Sequence, residues 1–135
     1  MKLHPYISFD GNAEEVLNFY TKIFNGNIEM MMRFGEAPFP TDEKDANKVM
    51  HARISFDDNV IIISDRMRKT DLPDSINVQL FLHLNDEQRL EYIFSELAQG
   101  GTVIMPLAIQ FWGNKYGIVK DKFGIDWMLD CEVKK

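Results

Sequence analysis

Three histidines and a few polar strand residues are the groups in this sequence most able to do chemistry. His51 and Arg53 stand on the polar side of the alternating segment Met50-His51-Ala52-Arg53-Ile54-Ser55-Phe56. An imidazole beside a guanidinium suits contact with an anion or a polar substrate, and it equally suits a solvated strand face. His83 shares strand parity with Gln79, where it reads either as a ligand or base or as a partly exposed histidine satisfied by its neighbours. His4 lies near the N-terminus, where a catalytic role is not expected. The histidines fall in no HxH or HExxH spacing. Cys131 is the only cysteine, so neither a CxxC motif nor an intrachain disulfide exists. Ser8, Ser55 and Ser64 lack the flanking glycines of a nucleophile elbow, and Gly100-Gly101 follows a helix rather than preceding one, which excludes a phosphate-cradling loop. Trp112 and Tyr116 flank Gly113 and are placed either to stack on a planar ligand or to pack a turn.

These residues must be held by elements, and the elements repeat. Residues 3–9 read as a strand, and a helix follows from Asn12, which with Glu15 makes a box-like cap. Val16, Phe19, Tyr20 and Ile23 form its apolar stripe, and Asn25-Gly26-Asn27 stops it. Strands follow at 28–34, 50–56 and 60–65, the last two joined by the turn signal Asp57-Asp58-Asn59. The polar stretch 35–48 is long enough for a functional loop, and 66–76 reads as the connection between halves. The pattern then recurs. A strand covers 77–84, and a helix capped by Asn85 or Asp86 carries the stripe Leu90, Ile93, Phe94 and Leu97. Gly100-Gly101 ends it, and strands follow at 102–108, 116–121 and 125–130. The expected fold class is α+β: one domain, 1–135, built from paired βαβββ modules at 1–66 and 77–135. Each helix is apolar on one face only and covers one face of its sheet. Leu80, Leu82, Leu84, Ile125, Trp127 and Leu129 are expected to meet the helix, while Gln79, Phe81, His83, Asp126, Met128 and Asp130 face the other way. Met30-Met31-Met32 in a strand points both ways and suits core or dimer packing.

Composition narrows the partners. Of the 135 residues, 45% are hydrophobic and 27% charged, ordinary for a globular domain. The net charge of −6 opposes attraction to phosphate backbones, so nucleic acid is not an expected partner. No apolar run is long enough to span a bilayer. The absence of a signal-peptide pattern and of cysteine pairs points to the cytoplasm.

The segments Pro5-Tyr6-Ile7-Ser8-Phe9-Asp10-Gly11-Asn12-Ala13-Glu14-Glu15 and Phe19-Tyr20-Thr21-Lys22-Ile23-Phe24 resemble the opening module of the vicinal oxygen chelate superfamily, which includes glyoxalases, bleomycin- and fosfomycin-resistance proteins and extradiol dioxygenases. Phe111-Trp112-Gly113-Asn114-Lys115-Tyr116-Gly117 and Asp121-Lys122-Phe123-Gly124-Ile125-Asp126-Trp127 are similar to its PhnB-like branch, which carries the description 3-demethylubiquinone-9 3-methyltransferase-like without a methyltransferase motif. The resemblance implies a glyoxalase/bleomycin resistance-like fold and a homodimer, with edge strands or the loop 35–48 reaching the partner. In metal-using members the ligands come from the first and last strand of each module. An ungapped alignment on the helix motifs carries those positions to Pro5, Ile63, Gln79 and Met128, of which only Gln79 offers an oxygen donor. A metal and other cofactors are therefore not expected. A one-residue slip would instead bring His4 or Asp65 inward.

The leading expectation is a small-molecule-binding protein. Its apolar cup would be lined by Ile7, Ile63, Phe81 and Met128, with polarity from His51, Arg53 and Gln79 and aromatic cover from Trp112 and Tyr116. The alternative is a divalent-metal-dependent lyase, isomerase or dioxygenase. That chemistry needs Gln79 together with two of His4, His51, His83 and Asp65. A structural dimer with a filled cup is the third reading.

Overall fold

The computed structural model describes residues 1–66 and 78–133. The expected connection between halves beyond Arg66, and Asn77, lie outside the described residues. The chain divides into two compact units between Asp71 and Leu72. Each runs β-α-β-β-β. The first contains β1 (Tyr6–Phe9), α1 (Ala13–Ile23), β2 (Asn27–Arg33), β3 (Val49–Phe56) and β4 (Asn59–Asp65). The second contains β5 (Leu80–Leu84), α2 (Glu87–Ala98), β6 (Thr102–Ile109), β7 (Asn114–Lys120) and β8 (Asp126–Glu132). The strand orders, β1-β4-β3-β2 and β5-β8-β7-β6, are the same arrangement twice. In each unit the first and last strands pair in parallel and the other neighbours are antiparallel.

Helix periodicity sets the core of each unit. Val16, Leu17, Tyr20 and Ile23 of α1 are buried, as are Leu90, Ile93, Phe94 and Leu97 of α2. The sheet residues on the same side are Phe9, Ala52, Ile54, Phe56, Ile61 and Ile63 in the first unit, and Val119, Trp127, Leu129 and Cys131 in the second. Each helix ends where its backbone passes tightly over a strand end. A Cβ on Gly26 would lie 2.5 Å from the Ser55 carbonyl oxygen, and one on Gly101 would lie 2.2 Å from that of Lys120. Only glycine permits either approach.

Two aspartates tie the turns. Asn12 makes no side-chain cap. Instead Asp65, at the end of β4, accepts the N–H groups of Gly11, Ala13 and Val49, each at 2.9 Å. The orphan donors of the α1 N-terminus are thus satisfied from another strand, a contact that local sequence spacing does not reveal. In α2 the local cap forms as expected, with Asp86 Oδ1 accepting from Gln88 and Arg89. Asp121 organises the β7–β8 turn: its Oδ1 accepts from the Phe123 and Ile125 backbones, and its Oδ2 accepts the Trp127 indole N–H at 2.9 Å. The Asp-x-Phe-Gly-x-x-Trp motif is therefore a structural turn, and Trp127 is core, 1% exposed.

Local departures have local causes. β1 begins at Tyr6 rather than Leu3. The stretch 35–48 is not a plain loop, since single helical turns form at Phe34–Glu36 and Glu43–Asp45. A register shift between Met32 and Arg33 lets Val49 bury while Met50 is only half-buried. Pro106 does not end β6: this outer strand runs through it, with register shifts on either side of Met105. The Asp57-Asp58 turn takes positive φ at both residues, 45° and 65°, as a tight β3–β4 hairpin demands. Among the described residues no helix is long and apolar enough to cross a membrane.

Candidate functional site on the open sheet face

With a helix on one face of each sheet, the side chains available to a ligand are those of alternate parity. Pairing identifies them. Ile7 stands opposite Ile63, and Leu82 opposite Leu129. Ile63 and Leu129 are fully buried, so both pairs lie on the helix side. The open rows are Tyr6–Ile62 and Ser8–Ser64 in the first unit, and Phe81–Met128 and His83–Asp130 in the second.

This places the expected pocket residues. Ile63 packs in the helix–sheet core and Ile7 shares its side, so neither lines an open face. The counterpart of Met128 is Ile62, not Ile63. The ungapped match of Ile63 to Met128 fails because the β7–β8 turn is one residue longer than the β3–β4 turn: residues 56–59 lie between the paired Ser55 and Val60, but residues 121–125 lie between the paired Lys120 and Asp126. The β1–α1 link, Asp10-Gly11-Asn12, is likewise one residue longer than Asn85-Asp86, which shifts Pro5 against Gln79. One residue of slip exchanges the faces of a strand. Asp65 does not turn outward, because its carboxylate is the cap of α1. Gln79 is exposed just ahead of β5, and half-buried Pro5 stands just ahead of β1.

In the first unit the open face is mixed, with Arg53 standing between Ile62 and Met30 and His51 beside Met32. His51 and Arg53 alternate with buried Ala52 and Ile54. The His51 ring lies 6.1 Å from that of Tyr6, and Arg53 Nε is 2.9 Å from Glu29 Oε2 without hydrogen-bond alignment. Ser8 and Ser64 are 3.5 Å apart through their hydroxyls.

The second unit brings unlike groups together in two adjacent rows. Phe81, Met128 and Ile118 make an apolar row across β5, β8 and β7, and His83, Asp130 and Tyr116 make the next. Phe81 is 54% exposed, whereas Met128 and Ile118 are half-buried. Asp130 is only 6% exposed. Its Oδ2 is 2.8 Å from His83 Nδ1, and Asn114 Nδ2 reaches Oδ2 at 3.0 Å and Oδ1 at 3.3 Å. A carboxylate only accepts, so His83 Nδ1 carries a proton toward it. Nε2, the nitrogen of the neutral ring that is left as acceptor, has no protein partner among the described residues. At the end of this row the β6–β7 turn projects aromatic rings: Trp112 meets Tyr116 edge-on at 5.6 Å, and Phe111 meets Trp112 at 4.9 Å. Gly113, at φ +94°, makes that turn possible.

Sequence parity placed Phe81, His83, Met128 and Asp130 on one face, but the role of Asp130 was missed. A parallel pairing of the first and last strands of a module was the signal that would have set it beside His83. Asn114 gave no comparable signal.

These donors do not suit a resident divalent ion. Serine hydroxyls are weak neutral ligands, and both oxygens of Asp130 are already engaged by N–H donors. Among the described residues no three His, Cys, Asp or Glu side chains converge. A protein-held divalent site ordinarily needs at least three good donors.

Comparison with known proteins agrees with this architecture. The family model described as 3-demethylubiquinone-9 3-methyltransferase matches residues 1–129. The crystal structure of protein PA1353 from Pseudomonas aeruginosa is 32% identical, with a TM-score of 0.88 over 98% of both chains. A PhnB protein from Bacillus cereus, a putative 3-demethylubiquinone-9 3-methyltransferase, is 26% identical, with a TM-score of 0.83 over 97% of this chain and 99% of that one. Protein YjdN of Escherichia coli is 27% identical over 96% of this chain and 95% of its own length. A glyoxylase/bleomycin resistance protein/dioxygenase domain from Frankia sp. EAN1pec, 14% identical over 99% of this chain and 93% of that one, shares the fold at a TM-score of 0.71.

Proposed function

The chain belongs to the 3-demethylubiquinone-9 3-methyltransferase family in its PhnB-like, glyoxalase-fold form, and from that premise we propose that it binds a small organic molecule on the open face of its second unit, without a resident metal. One observation carries the reading: an apolar row, Phe81, Met128 and Ile118, runs beside a row holding an anchored imidazole, with Trp112 and Tyr116 at its end. Ligand sites are mostly apolar surfaces with a few fixed polar groups, and this face has that composition. The first unit's open face, with Tyr6, Ser8, His51 and Arg53, supplies polarity but no comparable apolar row. Methyl transfer is not part of the reading, because the chain offers no glycine-rich strand-to-helix turn to cradle a nucleotide-bearing cofactor.

The test is a thermal-shift screen of small organic compounds against the wild type and Met128→Asp. Met128 is half-buried on the open face, so the substitution spares the helix–sheet core and puts a charge at the centre of the apolar row. The reading expects stabilisation by compounds that lose their effect on Met128→Asp. Unchanged affinity in that variant would contradict it. The same reading makes the protein a cytoplasmic homodimer, supported by the exposed Val103, Ile104 and Ile109 of outer strand β6. A sedimenting mass of one 15.7 kDa chain would contradict the dimer.

A further inference from the structure

We propose that His83 Nε2 is the proton acceptor of this face, and that its ligand is a largely apolar molecule carrying a weakly acidic O–H, or a C–H beside a carbonyl. The inference rests on the ligand-binding reading above and gives it a chemistry. Its basis is the chain of contacts Asn114–Asp130–His83. Asp130 is buried on β8 and held by the Asn114 amide from β7, and its Oδ2 accepts the hydrogen bond of His83 Nδ1–H, from β5, at 2.8 Å. A carboxylate on Nδ1 fixes both the ring's orientation and its tautomer, leaving Nε2 as the acceptor. The imidazole side chain itself is 46% exposed, so the free nitrogen can be reached. Among the described residues, the other titratable groups on this face near the ring are Tyr116, in the same row, and Glu132, exposed opposite Asn114.

Proton transfer balances within the site. The ligand's O–H or C–H bond breaks, the proton passes to Nε2, and the electron pair stays on the ligand. Asp130 remains ionised and holds the imidazolium through Nδ1–H. The proton then returns to the ligand or to water, so no further reactant is consumed. His83 is the group that meets the ligand, while Asp130 and Asn114 act as positioning residues.

The test uses the intact protein and needs no ligand, so it can fail independently of the binding reading. Long-range 1H–15N correlation spectra of neutral His83 are expected to show the proton on Nδ1 and a bare Nε2. Diethylpyrocarbonate should acylate His83 at Nε2 several-fold faster than His4 or His51, as mapped by mass spectrometry. In Asp130→Asn the single remaining oxygen is claimed by the Asn114 amide. The new –NH2 then faces Nδ1 and drives the proton to Nε2, the wrong-tautomer outcome known for buried His–Asp pairs. Acylation of His83 should then fall to the rate of the other histidines. A merely structural ion pair would not make Nε2 unusually reactive. A wild-type Nε2–H tautomer, or a His83 no more reactive than His4 and His51, would overturn the proposal, and neither observation depends on how the variant folds.

Discussion

Replacing Asp65 by asparagine separates the two buried aspartates that close the parallel strand pairs, because Asp65 serves the fold and Asp130 serves the face. Asp65 is 5% exposed and accepts three backbone N–H groups, two of them in fully buried hydrogen bonds. Asparagine keeps one oxygen, which can still serve Gly11 and Ala13, but it turns an –NH2 toward the Val49 N–H. A buried donor left unsatisfied costs about 1–3 kcal/mol. Loss of charge assistance in the two remaining bonds adds roughly 1 kcal/mol each. The expected loss is about 3–5 kcal/mol. With a urea slope of about 2 kcal/mol/M, the unfolding midpoint drops by about 2 M. Asp130→Asn should cost less than about 1 kcal/mol, because its partners are an exposed imidazole and a half-buried amide that the asparagine can still engage. Urea titrations of the two variants and the wild type, followed by circular dichroism, make the comparison. An Asp65→Asn midpoint within about 0.5 M of wild type, given the same slope, would refute the claim that this carboxylate holds the start of α1.

Three further outcomes follow from the geometry. Burial, helped by the nearby carboxylates of Glu87, Asp130 and Asp86, pushes the Cys131 thiol above its ordinary pKa, so the thiolate is scarce at neutral pH. Cys131 should resist Ellman's reagent in the native protein and react fully once urea unfolds it; prompt native labelling would contradict this. Gly101→Ala would set a Cβ 2.2 Å from the Lys120 carbonyl oxygen, so the strand end must move. A thermal melt should show a loss of about 1–3 kcal/mol, typical of overpacking. Zinc, nickel, manganese and iron(II) at about 100 times a micromolar Kd would each raise stability by about 2.7 kcal/mol if a real site existed. A thermal-shift scan should instead show no ion-specific stabilisation, and metal analysis of protein purified without added metal should show less than one ion per chain.

Much of the fold was legible because periodicity reports burial directly. The stripe Leu90, Ile93, Phe94 and Leu97 is buried throughout, and the alternation of Ala52, Ile54 and Phe56 with His51 and Arg53 gives the two faces of β3. The order β-α-β-β-β, twice, follows from such patterns together with the turn residues. The first-unit half of the candidate site was misread at one step, where Ile63 was matched to Met128. β3 and β7 match at one fixed spacing, but the β7–β8 turn carries one residue more than the β3–β4 turn, so β4 and β8 do not match at that spacing. Strands register by pairing rather than by distance from a helix, so the face assignment of β4 could not be carried across. Asp65 was illegible as a cap for a related reason. Its partners at Gly11 and Val49 are remote in sequence, and backbone donors leave no mark on residue type.

The central claim is that the ligand site is the open face of the second unit, with Met128 and His83 at its centre. The most direct measurement is a 13C-methyl methionine spectrum recorded during titration with a library of small organic compounds. Eight methionines report at once, and Met128 lies in the apolar row beside His83. The account predicts that binders move the Met128 methyl first and most, and that Phe81→Ala weakens the response. If binders instead moved Met30, Met31 and Met32 while Met128 stayed still, the site would lie elsewhere and the account would be wrong.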